Sequence, residues 1–160
     1  MAHRARSTRR FALGLVLALA ALAFSATGGD SQSSEKLGKV HFPTSCSPAA
    51  QAQFDRAVAW LHSFAFKDAM KKFEAVAQAD PKCGIAYWGA AVAWLGNPLG
   101  GPASPTWLKS GSEAAAKAKA TGAGTPRERD YIDAINAFYQ DADKVPHPQR
   151  ALAYEKAMEV

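Results

Sequence analysis

The sequence has few residues of the kinds that carry chemistry. Among its 160 residues only two are cysteine and four are histidine. It contains no Cys-x-x-Cys pair, haem-attachment motif, phosphate-binding loop, nucleophile elbow or His-Glu-x-x-His motif. These absences exclude the common signatures of redox, nucleotide-dependent and hydrolytic enzymes. We therefore predict no catalytic residues, no metal and no cofactor.

Excess positive charge is lacking outside the N-terminus. The chain carries 19 basic and 14 acidic side chains, but residues 1–26 hold four arginines and no acid. The remainder thus has 19 − 4 = 15 bases against 14 acids, so it has no basic stripe to neutralise phosphates. We predict no nucleic-acid partner. The overall composition, 48% hydrophobic and 21% charged, is that of a globular chain.

Residues 1–26 have the organisation of a signal peptide. A basic stretch precedes an apolar run at residues 11–24, and Ala21 and Ala23 fit an Ala-x-Ala processing site. The run is shorter than the roughly 20 residues of a membrane-spanning helix, so membrane association is expected only through an uncleaved leader, if at all. We predict a cleavable leader and export to the periplasm or medium, by the general or the twin-arginine route. Residues 27–46, with glycine, serine and mixed charge, are predicted to be a flexible lead-in.

One five-residue string is repeated. Ala-Val-Ala-Trp-Leu occurs at residues 57–61 and again, 34 residues later, at residues 91–95. A fixed period of this length is typical of repeats built from two helices, in which each pair buries the apolar face that its neighbour cannot bury alone. The sequence therefore predicts an all-α fold over residues 47–160. In it, antiparallel helix pairs stack as a short α-solenoid of about six helices.

Helix starts are marked by a capping side chain followed by proline, which suits the first helical position because it has no N–H there. The pairs are Ser47-Pro48, Asp80-Pro81, Ser104-Pro105 and Thr125-Pro126. Thr125 and Glu128 together predict a capping box. Two further helices are expected to begin near residues 67 and 148. The last has no stop signal before Val160, and repeat arrays end in a polar capping element, so we expect the chain to be truncated at its C-terminus.

The spacing of small and aromatic residues resembles the tetratricopeptide repeat (TPR). The residues at the family's intervals are Ala57, Trp60, Ala69, Phe73, Pro81, Tyr87, Ala91 and Trp94. The first unit departs from the pattern at Gln53 and Arg56, and the third unit, around Ala134 and Phe138, is degenerate. Residues 80–99 further resemble a group of exported bacterial TPR proteins without an assigned biochemical role.

The two cysteines are Cys46, just before the first predicted helix, and Cys83, at the start of the third. In a stacked repeat these two helix starts lie on the same side, and exported chains fold in an oxidising compartment, so a disulfide is predicted. It would close a loop of about 36 residues and contribute on the order of 3–4 kcal/mol. Two free or buried thiols are the alternative.

His62 and Trp107 are candidate groove residues. His62 follows the Trp60-Leu61 core pair, and Trp107 follows a loop at residues 97–103 that is rich in glycine and proline. His41 and Cys46 lack a third ligand for a zinc site. Four late acidic residues lack the glycine and the terminal glutamate of a calcium loop, so a solvated face is the better interpretation; they are Asp130, Asp133, Asp141 and Asp143.

A repeat without a catalytic constellation favours a non-catalytic scaffold. Stacked helix pairs form a concave surface that suits an extended peptide or a helix of another protein, so a protein or peptide partner is expected. The alternative is the N-terminal repeat region of a larger exported enzyme or ligand-binding protein. Its active part would follow Val160 or use the loop before Trp107.

Overall fold

A computed structural model describes residues 37–97 and 99–159 of the chain. These residues form six α-helices and no strand, which confirms the all-α prediction. The helices are α1 Pro48–His62, α2 Phe66–Ala79, α3 Gly84–Leu95, α4 Pro105–Thr121, α5 Pro126–Tyr139 and α6 His147–Ala157. The predicted leader and residues 27–36 of the lead-in lie outside the described residues.

The helices stack as three consecutive pairs. Each helix packs against the next one along the chain, and α3 also packs against α1 and α5. The second helices of the pairs, α2, α4 and α6, do not contact one another. The first helices therefore form a closely spaced inner layer, and the second helices form a more open outer layer. We call the surface formed by α1, α3 and α5 the first-helix face.

Trp60 and Trp94, 34 residues apart, occupy matching places in successive pairs. Each is half-buried near the end of a first helix and faces the second helix of its own pair. The Trp60 ring lies 5.4 Å from Nζ of Lys72 in α2. The Trp94 ring packs edge-on against Trp107 in α4, with centroids 5.5 Å apart. The sequence period is thus also a period of the structure.

Small residues let the helices of the first two pairs approach closely. Ala57, Ala69 and Ala91 are fully buried. The ring of Phe73 in α2 crosses α3 at Gly89, where an added Cβ would overlap the ring carbons. The Phe73 ring fits there because glycine has no side chain, and dense packing of this kind tolerates little added volume.

Tyr139 attaches the third pair to the second. Its hydroxyl donates a hydrogen bond of 2.9 Å to the carbonyl oxygen of Ala91 in α3, and it crosses α4 at Gly111. Burial raises the pKa of the Tyr139 phenol well above its usual value because the charged form would lose its hydration. The phenol therefore stays a hydrogen-bond donor at neutral pH.

Three predicted helix starts are confirmed. The side-chain oxygens of Ser47, Ser104 and Thr125 each accept a hydrogen bond from an amide in the first turn, and proline follows each of them. The last helix ends at Ala157 rather than continuing to the end of the chain.

The predicted start at Asp80-Pro81 is wrong, because α3 begins only at Gly84. The Asp80 carboxylate is engaged elsewhere: it accepts from the amide of Ser47 at 2.8 Å and from that of Lys82 at 3.3 Å. The Ser47 bond is the main reason that the pKa of Asp80 is lowered. Asp80 therefore joins the starts of α1 and α3 instead of capping α3.

The turn between α1 and α2 uses a left-handed phenylalanine. Phe64 has φ +60°, and the amides of Phe64 and Ala65 donate to the carbonyls of Leu61 and Trp60 at 3.1 and 3.2 Å. This is the Schellman pattern, in which glycine is the usual left-handed residue. The sequence signal for the turn was therefore absent, although the turn geometry is an ordinary one.

We expect Phe64→Gly to stabilise the chain by about 0.5–1 kcal/mol. Glycine relieves a left-handed strain of about 1–2 kcal/mol, and part of that gain is lost to the greater freedom of the unfolded chain. The Phe64 side chain is 61% exposed, so its removal costs little burial. Urea denaturation measures the change. Phe66→Gly, within α2, is the control and should lose stability; a loss in Phe64→Gly as well would contradict the strain argument.

Candidate functional site

Residues 37–46 of the predicted lead-in have no regular secondary structure, yet residues 41–46 are held on the first-helix face. We call residues 41–46 the inner segment. Its Phe42 ring contacts one ring from each first helix: Phe54 of α1 at 5.5 Å, Trp88 of α3 at 5.7 Å and Tyr131 of α5 at 5.5 Å. Trp88 follows Phe54 by 34 residues, so the repeat itself places these rings side by side. We call Phe54, Trp88 and Tyr131 the aromatic cage.

Side chains of α1 bind the main chain of the inner segment. The Asp55 carboxylate accepts from the amide of Phe42 at 2.9 Å. Gln51 donates to the carbonyl of Phe42 at 2.8 Å and accepts from the amide of Thr44 at 2.7 Å. Gln51 also donates to Asp55 at 2.8 Å, which fixes both side chains. Such contacts hold an extended backbone whatever its side chains are.

Side chains from the start of α5 complete the grip. The buried carboxylate of Glu128 accepts from the amide of Ser45 at 2.5 Å, from its hydroxyl at 2.6 Å and from the amide of Gly124 at 3.0 Å. The Arg127 guanidinium donates to the carbonyl of Pro43 and lies 4.8 Å from the centre of the Phe42 ring. Phe42 is therefore covered by the cage and by a cation.

The capping box predicted for Thr125 and Glu128 is only half formed. The Thr125 hydroxyl accepts from the amide of Glu128 at 3.2 Å. The return bond from the Glu128 side chain is missing because its carboxylate binds Ser45 and Gly124 instead. Glu128 thus serves the inner segment rather than its own helix start.

We expect Glu128→Gln to lower the free energy of unfolding by about 1–2 kcal/mol. The amide replaces one acceptor oxygen by an NH₂ group, which cannot accept from a donor that is cut off from water. Hydrogen exchange at the Ser45 and Gly124 amides should accelerate. Glu113→Gln, in the exposed part of α4, is the matched control and should change neither quantity. Equal behaviour of the two variants would show that the Glu128 bonds do not hold the segment.

The inner segment ends at Cys46, which lies at disulfide-bonding distance from Cys83. The two Cα atoms are 4.9 Å apart and neither cysteine is free, which confirms the predicted pair. The link ties the segment to the residue before α3. The adjacent bond from Ser47 to Asp80 joins the same two places.

The two candidate groove residues do not come together. His62 is exposed at the last position of α1, and Trp107 is half-buried in the first turn of α4, against Trp94 and Gly96. Helices α1 and α4 do not contact each other. His62 and Trp107 therefore do not form one site.

An open groove of about 430 Å³ lies on the other layer, over α3 and between α2 and α4. The TPR-signature residues Tyr87 and Trp94 form its floor, and Glu74, Glu113 and Lys117 stand on its rim. Its charges are mixed and its walls are mobile side chains of exposed positions. The groove shows no donor or acceptor array comparable to that around the inner segment.

The described residues contain no group of three or more His, Cys, Asp or Glu that could hold a metal ion. His41 pairs with Asp55 at 3.2 Å, and Asp133 pairs with Lys119. Within the part of the chain that the structure describes, none of the helices is both long and apolar enough to cross a membrane.

Comparisons with protein-family models, with curated proteins and with solved structures give no match. The geometry of the first-helix face is therefore the basis for a functional argument.

Sequence reasoning did not select the residues that build this face. Phe42 lies in a stretch whose composition predicts flexibility, and Gln51, Asp55 and Glu128 look like ordinary polar positions of helices. A signal was present: Phe42 precedes a proline and lies four residues before a cysteine that was itself predicted to be bonded. A segment so close to a disulfide is restrained at one end.

Proposed function

We propose that the chain is a non-catalytic scaffold that binds an extended segment of a protein partner on its first-helix face. The observation that carries the proposal is the hydrogen bonding of the inner segment, in which helix side chains bind successive main-chain groups of residues 42–45. In peptide recognition, main-chain bonds supply affinity and side-chain pockets supply specificity. The first-helix face has both, since the aromatic cage is such a pocket.

The proposal includes membership of the TPR class and export from the cell. The 34-residue period and the buried signature positions support the first. The Cys46–Cys83 pair supports the second, because disulfides persist in oxidising compartments. The leader proposed at residues 1–26 would direct that export.

Partner binding requires the inner segment to leave, because the face holds the chain's own residues. Phe42→Asp is designed to open the face. A carboxylate among three apolar rings and beside Asp55 is strongly unfavourable, so the segment should detach while the disulfide stays intact.

Panning of random linear peptides against the full chain tests the proposal. We expect the Phe42→Asp chain to enrich peptides that the intact chain does not retain. Adding Tyr131→Ala, which removes one wall of the cage, should abolish that enrichment. A folded Phe42→Asp chain that enriches no peptide, or whose peptides still bind after Tyr131→Ala, would overturn the proposal.

A further inference from the structure

The inner segment is a bound sequence as well as a bound backbone. On the basis of the proposed function, we propose that the first-helix face selects extended peptides in which an aromatic residue is followed by proline and then by two hydroxyl residues. Residues 42–45, Phe-Pro-Thr-Ser, are the tethered version of this ligand.

The first position requires an aromatic ring. Phe42 contacts three rings, and the Arg127 guanidinium lies over its face at 4.8 Å. Ring pairs of this kind contribute about 0.5–1.5 kcal/mol beyond burial, and a cation over a ring contributes about 0.5–2 kcal/mol. An aliphatic side chain would fill part of the volume but lose both contributions.

The second position suits proline. The amides of Phe42, Thr44 and Ser45 are accepted by Asp55, Gln51 and Glu128, respectively. Position 43 therefore faces no acceptor that proline would leave unused. Proline also confines the residue before it to extended backbone, the conformation in which Phe42 is bound.

The third and fourth positions favour hydroxyl groups. The Thr44 hydroxyl donates to Gln51 at 2.7 Å, and the Ser45 hydroxyl donates to Glu128 at 2.6 Å. Both partners are acceptors, and Glu128 is 1% exposed. A negatively charged residue at the fourth position would place a second acceptor against a buried carboxylate, so aspartate and phosphoserine should be rejected.

The tether makes the inner segment a strong competitor. A short linker gives an effective concentration in the millimolar range, and the segment is fixed at its end by the Cys46–Cys83 link. For a free peptide with an intrinsic Kd of about 10 μM, a competitor at about 1 mM raises the apparent Kd about 100-fold. The intact chain should therefore look nearly inert toward the same sequence.

Titration calorimetry with synthetic peptides tests the proposal on the full chain. The reference peptide has the sequence of residues 38–45; three control peptides carry alanine in place of Phe42, alanine in place of Pro43, or phosphoserine in place of Ser45. We expect the reference peptide to bind the Phe42→Asp chain and to bind the intact chain about 100-fold more weakly. Each control peptide should bind the Phe42→Asp chain at least about 10-fold more weakly than the reference.

The outcomes separate the two proposals. If library peptides bind the Phe42→Asp chain in a Tyr131-dependent way but the reference peptide does not, the sequence preference is wrong and the scaffold function stands. If no peptide binds, both fail. Should Phe42→Asp not fold, the milder Phe42→Ala chain is titrated instead. The reference peptide should then bind and raise its melting temperature, and a folded Phe42→Ala chain that ignores the peptide would overturn the preference.

Discussion

Replacing Cys46 and Cys83 together with serine is expected to lower the free energy of unfolding by about 4 kcal/mol. The link spans 37 positions of the sequence, and closing a loop of that length removes conformational freedom from the unfolded chain. The loss should be concentrated in the unfolded state, because the helices themselves do not depend on the link for hydrogen bonds. Chemical denaturation of the oxidised chain and the double variant gives the difference.

A reduced wild-type chain is the matched control for the double variant. Reduction opens the same loop without changing the sequence, so the two should unfold at nearly the same denaturant concentration. Hydrogen exchange at the amides of Phe42 and Thr44 should accelerate in both, since the inner segment loses its anchor at Cys46. A double variant as stable as the oxidised chain would show that the link does not constrain the fold.

The second large effect is expected from the smallest substitution. Gly89→Ala should destabilise the chain by about 2–3 kcal/mol, although alanine in a helix normally gains up to about 1 kcal/mol over glycine. The reason is steric: the added methyl group would occupy the place of the Phe73 ring, which is fully buried and cannot swing into solvent.

A double-mutant cycle isolates that steric cause. Phe73→Leu alone should lose stability, because it leaves a gap beside Phe54. In the Gly89→Ala background the same change should lose much less, since the smaller side chain makes room for the methyl group. Additive losses, or a gain from Gly89→Ala, would contradict the packing seen between α2 and α3.

The pairing of helices was predictable because periodicity reports it directly. The recurrence of Trp60 at Trp94 fixes equivalent positions, and the structure gives the two rings equivalent neighbours in the second helix of each pair. The helix starts at Ser47, Ser104 and Thr125 were predictable for a local reason, since a capping bond involves residues within one turn.

Long-range polar bonds were not predictable. Asp80 has the sequence context of a helix cap, yet its carboxylate binds the amide of Ser47, 33 positions away. Glu128 has the context of a capping box, yet it binds Ser45, 83 positions away. Local patterns do not show such competition for one carboxylate, and these two cases moved a helix start and revealed the segment on the first-helix face.

The candidate site was missed because it depends on a segment with no period of its own. The lead-in has the composition of a flexible linker, and composition does not reveal that Phe42 meets three helices at once. The repeat supplies the three receiving rings at equivalent positions, and the aperiodic segment supplies the ring that they hold.

Nuclear Overhauser contacts of the Phe42 ring in the oxidised full chain test the central claim most directly. The account predicts contacts from the Phe42 ring protons to the rings of Phe54, Trp88 and Tyr131 together, because three successive first helices present equivalent positions to one side chain. A Phe42 ring with none of these contacts, or with contacts to one helix only, would contradict it.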